Sequence, residues 1–222
     1  MSSLRIEALL LVLALVACSG KTAEPVTTIA PGEGESTPVA AVDTLVAAIN
    51  VPDFAEASRL AVPGQAALAS LAEGASFADV AEALRSGDEE VAANFWAGFA
   101  QGTGSFLVGS ITAEESGTYT ESGVEFTLVD VIPPGGDSRR LLLRDEDGYR
   151  IDLFASFGTG LADKMIAPVE RLLVTQTDDA RLILSNLKDI VPSLLTAAKQ
   201  PGTPSEVSQQ LLALVEVITR VG

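Results

Sequence analysis

Acid–base and nucleophilic chemistry has few residues to draw on in this chain. Histidine is absent from the 222 residues. That excludes Ser-His-Asp and Cys-His catalysis, and with them the imidazole ligands usual in zinc sites. Cys18 is the only thiol, and the remaining acids and bases are carboxylates, Tyr119, Tyr149 and four lysines. Among the carboxylates, Asp130 continues the alternating face Val124, Phe126, Leu128 and Ile132. A regular strand would aim it into apolar surroundings, where burial raises a carboxyl pKa and suits it to general acid or base work with Tyr149 or Tyr119. The competing reading ends or bulges the strand at Asp130, just before the turn Pro133-Pro134-Gly135-Gly136, and leaves the side chain in solvent. Tyr149 and Trp96 are candidates for a pocket wall and equally for core.

Other constellations are less specific. Arg139, Arg140, Arg144 and Arg150 lie close in sequence and form either an anion site or a solvated face paired with Asp145, Asp147 and Asp152. Gly102-Thr103-Gly104 and Gly158-Thr159-Gly160 lack the spacing of a phosphate loop, and no G-x-S-x-G occurs. The carboxylate clusters lack the spacing of a calcium loop. No cofactor and no metal are expected. Thirty acidic against 14 basic residues give a net charge of −16, which argues against nucleic-acid binding.

The strongest signal precedes the body of the chain. Ala8 to Ala17 are ten consecutive apolar residues, the length of a signal-peptide core and too short to span a bilayer. Arg5 supplies a weak positive flank, and Glu7 is an unusual acid there. The string Leu15-Val16-Ala17-Cys18 resembles the lipobox of bacterial lipoprotein signal peptides. That resemblance implies a diacylglycerol on the Cys18 sulfur, cleavage of residues 1–17, and a membrane partner reached through the lipid. The alternatives are an ordinary secretory signal cut near Ala17 or Gly20, or an uncleaved anchor. Cleavage removes Arg5 and Glu7 together, so the charge stays at −16 and an anionic lipid surface should repel the body. With Cys18 alkylated, no thiol or disulfide remains, and stability rests on the core.

Residues 18–37 are rich in Ser, Thr, Gly, Pro and Glu and read as a flexible linker, with an edge strand at VTTIA as the alternative. The folded body divides into an α+β segment, residues 38–157, and a C-terminal helical segment, residues 158–222. Helices dominate up to Ala100: one opening at Pro38 after Thr37, one capped by Asp53, a run from Gln65, and capping boxes at Ser76-Phe77-Ala78-Asp79 and Ser86-Gly87-Asp88-Glu89. Three or four antiparallel strands are expected between about 105 and 157, the last alternating through Tyr149, Ile151, Leu153 and Ala155. Beyond them, Leu161 to Thr175 is helical with a kink or break at Pro168. A second run starts at Thr177 and bends or divides at Pro192, and a third is capped at Thr203. The last two or three helices are expected to form a hairpin.

The Asp53-Phe54 step and the closing hairpin from Leu141 to Leu153, with Asp147-Gly148-Tyr149 at its turn, resemble the nuclear transport factor two-like superfamily. The resemblance covers about residues 41–157. It implies a cone: a curved sheet wrapped on helices around a pocket, which in some members houses isomerase or dehydratase chemistry and in others only binds or dimerises. The function expected is a lipid-anchored, extracytoplasmic binding module for a protein or an apolar small ligand, without catalysis of its own. A pocket isomerase or lyase using Asp130 with a tyrosine is the first alternative. A structural envelope lipoprotein assembling through its C-terminal helices is the second.

Overall fold

The computed structural model describes residues 33–86 and 90–220. Cys18, the apolar run before it, VTTIA and the Gly87-Asp88-Glu89 part of the second capping box lie outside the described residues. The protein is α+β, with helices on a four-stranded antiparallel sheet in the order β1-β2-β3-β4.

Five helices come first. α1 (Pro38–Asn50) starts where Thr37 Oγ1 accepts the Ala40 N–H at 3.2 Å, with proline in the first turn. α2 (Phe54–Arg59) is capped by Asp53 Oδ1, which accepts the Glu56 N–H at 3.1 Å. α3 (Gln65–Ala69) is buried along its whole length. α4 (Phe77–Ser86) begins with Ser76 Oγ accepting the Asp79 N–H, and α5 (Glu90–Gln101) places Phe95, Trp96 and Phe99 in the core.

The strands β1 (Thr112–Glu121), β2 (Val124–Ile132), β3 (Arg139–Asp145) and β4 (Tyr149–Ile151) form a meander. Ser122 and Gly123, both at positive φ, join β1 to β2 in the two-residue turn that suits strand twist. Two expectations fail at the ends of this sheet. Residues 105–107 are a 3₁₀ turn, with β1 beginning only at Thr112. At the other end Leu153 and Ala155 belong to a helix, α6 (Leu153–Phe157), because Asp152 caps it by accepting the Ala155 N–H at 2.8 Å.

Four helices follow. α7 (Ala162–Val174) continues through Pro168. α8 (Asp178–Asp189) is capped by Thr177, and Pro192 divides it from α9 (Val191–Lys199) by standing in the first turn of the new helix. α10 (Ser205–Thr219) starts at the expected place without the expected cap. Thr203 Oγ1 donates instead to the Ala197 carbonyl of α9, closing the α9–α10 hairpin.

Both sheet faces carry apolar side chains, but unequally. Val129 and Val131 of β2, Leu141 and Leu143 of β3 and Ile151 of β4 join one large core with α1 and most other helices, on both sides of residue 158. Phe126, Leu142 and Ala155 form a small separate cluster on the opposite face, flanked by Val124 and Leu128. Residues expected to belong to the linker already join the sheet: Glu35 exchanges backbone hydrogen bonds with Tyr149 at 3.1 and 2.8 Å, and the Gly34 N–H donates to the Asp147 carbonyl at 2.9 Å. The two segments meet glycine to glycine there. A Cβ on Gly34 would lie 2.4 Å from the Gly148 carbonyl carbon, so no other residue fits without displacement.

Candidate functional site

The face of β2 expected to be the core face is the minor one, and its apolar run is interrupted at Asp130. There Arg140, directly opposite on β3, donates Nε to Oδ1 at 2.7 Å and Nη2 to Oδ2 at 2.9 Å. The Asp130 side chain keeps a quarter of its exposure. This two-point pairing holds its carboxyl below the ordinary aspartate range, the opposite of the rise that burial in an apolar pocket would cause. A carboxylate held ionised in this way is a poor proton acceptor at neutral pH.

Neither tyrosine comes near it. Tyr149 pairs with Asp145 on β3, whereas Asp130 pairs with Arg140, five positions along the same strand. At about 3.3 Å per residue that separates them by roughly 17 Å. Tyr119 pairs with Phe126, four positions from Asp130 on β2. Its hydroxyl donates to Glu121 Oε2 at 3.0 Å, and partial burial, followed by that carboxylate, raises its pKa. The Asp–Tyr pair of the alternative, enzymatic reading is not assembled.

Trp96 resolves to core. It is fully buried, edge-on to Phe99 at 5.2 Å, with its indole N–H donated to Ser58 Oγ at 2.8 Å. Tyr149 lines a cavity. It stands with Arg144, Thr127, Glu125, Asp145 and Glu146 around about 340 Å³ at the hairpin end of the sheet. The four arginines do not converge on an anion. Arg139 stacks on Phe106 and Arg140 holds Asp130. Arg144 pairs with Glu146, and Arg150 donates to the Arg59 and Glu146 carbonyls.

The polar site that sequence reasoning missed lies behind this cavity. Asp152 has no exposed surface. Besides capping α6, it accepts Ser193 Oγ from α9 at 2.6 Å, and Arg144 Nη1 stands 3.6 Å away. Gln65 of α3 sits beside it, its Oε1 accepting the Leu153 N–H at 2.6 Å. Burial raises the Asp152 pKa, while Ser193, the Ala155 N–H, Arg144 and the adjacent Gln65 amide, which falls short of a formed hydrogen bond, oppose the rise. Gln65 Nε2 and Thr196 Oγ1 are buried without a partner among the described residues. A local signal was available: an aspartate directly before five apolar or small residues and a glycine has the form of a helix cap. The convergence was not, because Ser193 is 41 positions away. The arrangement joins α3, β3, α6 and α9. With no surface on Asp152 for a substrate to touch, it acts as a structural hub.

A second cleft of about 360 Å³ opens between α4 and α5, lined by Asp79, Glu82, Ala83, Glu90, Val91 and Asn94. Among the described residues no group of three or more Asp, Glu, Cys or His side chains is placed to hold a metal, and no helix is long and apolar enough to cross a membrane. Comparison with known protein families, curated proteins and solved structures finds no match for this chain.

Proposed function

We propose that this protein is a lipid-anchored extracytoplasmic interaction module, without catalysis of its own, whose partner is an envelope protein. The observation that carries this reading is the string Leu15-Val16-Ala17-Cys18 closing ten apolar residues, with the only thiol of the chain at the position where lipoproteins are acylated. Two or three acyl chains, at about 0.8 kcal/mol per buried methylene, hold a protein stably on a membrane that its charge would otherwise avoid.

The geometry of the body supports a binding role. Its candidate acid–base groups stand apart, and the one fully buried carboxylate among the described residues ties elements together. The described cavities are walled largely by charged and polar side chains, which favours a protein partner over an apolar small ligand. Assembly through the C-terminal helices has less support, since Leu212 is the one large apolar side chain well exposed on residues 178–220 among those described. The nuclear transport factor two-like relationship belongs to the same proposal, supported by the helix that Asp53 caps and by the β3–β4 hairpin that closes the meander.

The test is fractionation of bacterial cells producing the wild type or Cys18→Ser, with mass spectrometry of the amino-terminal peptide. Wild type is expected in the membrane fraction, beginning at a diacylglycerol-modified Cys18, and the variant is expected to lose that attachment. Unmodified Cys18 and an unchanged membrane fraction in the variant would overturn the proposal.

A further inference from the structure

The two edges of the sheet are treated differently. On the β4 side the edge is engaged from Leu142 to Ile151. Glu35 pairs with Tyr149, Leu60 and Val62 pair with Ile151, and Ser156 of α6 both donates to and accepts from the backbone of Leu142. On the β1 side, among the described residues, no backbone hydrogen bond reaches the outer edge. β1 is a long strand, about 33 Å at 3.3 Å per residue, and it is exposed at all but two of its ten positions.

An open edge offers a row of unpaired N–H and C=O groups to any extended chain, and its side chains decide which chain. Thr112, Thr118, Tyr119 and Thr120 are residues that favour strand pairing. Glu114 and Glu115 project to opposite faces, and neither forms an ion pair among the described residues. Glu114 lies opposite Asp130, whose charge already occupies Arg140. Glu121, by contrast, is held by Lys199 of α9 at 2.7 Å. The ladder shifts register between Glu115 and Gly117, so the acidic pair and the Thr118–Thr120 run form two short platforms with a twist between them.

From this contrast we infer that the outer edge of β1 accepts, as a fifth strand, an extended segment of the partner protein bearing two adjacent Lys or Arg residues opposite Glu114 and Glu115, and an aliphatic or aromatic residue beside Tyr119. Two basic neighbours in an extended chain point to opposite faces, as the two glutamates do. A second copy of this chain fits poorly, because it would bring the same acidic strand and another −16 charge to the edge. The inference rests on the reading of the protein as an interaction module. It fixes where the partner docks and by what chemistry.

The experiment uses the purified full chain in detergent. The probe is a labelled peptide of about ten residues, rich in Thr and Val with a central Lys-Lys pair, followed by fluorescence anisotropy and amide hydrogen exchange. Saturable binding is expected, with new exchange protection confined to residues 112–121. Replacing the lysines by glutamates, or introducing Glu114→Lys with Glu115→Lys, should weaken binding by about ten-fold or more. Methylating alternate backbone nitrogens of the peptide keeps its charge and blocks strand pairing, so it should abolish binding. Equal affinity for the methylated peptide, no binding at all, or protection of β1 that grows with protein concentration alone would each overturn the inference. Peptide binding by a chain without lipid on Cys18 would leave the edge site standing and remove the anchor. A lipidated chain that ignores the peptide would do the reverse.

Discussion

One sheet in this protein has a guarded edge and a bare one. On the β4 side the chain returns three times, with Gly34–Glu35 and Leu60–Val62 on β4 and with α6 on the neighbouring Leu142 of β3, and Asp152 locks the last of these to α9. Beside β1 no backbone of the described residues returns to the outer edge; Lys199 of α9 reaches Glu121 at its end, and the strand stands with both faces largely in water. Backbone groups that other segments satisfy contribute to stability, whereas groups left to solvent contribute little and stay available for recognition. The fold therefore concentrates its cohesion on one side and its capacity for contact on the other. That division predicts where mutations will hurt.

The largest loss is expected at the hub. Asp152→Ala removes the α6 cap and strands Ser193 and Arg144, and should cost about 2–4 kcal/mol in denaturant unfolding. Asp152→Asn keeps the cap geometry and should cost about 1 kcal/mol or less near neutral pH. The two forms also differ with pH. Because burial raises the Asp152 pKa above 3.8, the folded protein keeps a proton that the unfolded chain has already released. The stability advantage of wild type over Asp152→Asn should be greatest below the unfolded pKa and decline as pH rises through the raised one. An advantage that grows with pH would show that the carboxylate is held by its partners more than it is penalised by burial.

A smaller loss is expected where the entering chain crosses the hairpin. Gly34→Val brings a side chain into the backbone of Gly148 and should cost roughly 1–3 kcal/mol, with proteolytic cleavage appearing around residues 33–36. Smaller still, Ser156→Ala removes the bond to the Leu142 N–H and should cost about 1 kcal/mol in the same unfolding measurement. If this last change were as severe as the first, the guarded edge would be held as one cooperative unit instead of by separable contacts.

Features decided within a few residues were legible in the sequence. The caps at Thr37, Asp53, Ser76 and Thr177 are local hydrogen bonds, and each formed as its residue type implies. So did the Asp147-Gly148 turn, with both residues at positive φ. The errors arose where distant chain decides. The alternation of Ile151, Leu153 and Ala155 continued a strand on paper, but the Asp152 carboxylate turned it into a helix. On β2 apolar residues occupy both faces, so periodicity alone could not say which face meets α1. Asp130 fell on the lesser face, opposite Arg140, and its chemistry was reversed by a partner ten residues away in the next strand. The hub itself draws on residues from position 65 to position 193, a convergence no local pattern records.

The glycine crossing at Gly34 also has a mechanical meaning. Among the described residues, a pull on the amino-terminal end would be borne by the Arg59 bond to the Glu33 carbonyl and the three backbone hydrogen bonds that Gly34 and Glu35 make with the hairpin, ahead of α1. A body moored by that end would carry a small sacrificial clasp, opening under load and closing again while the interior stayed intact.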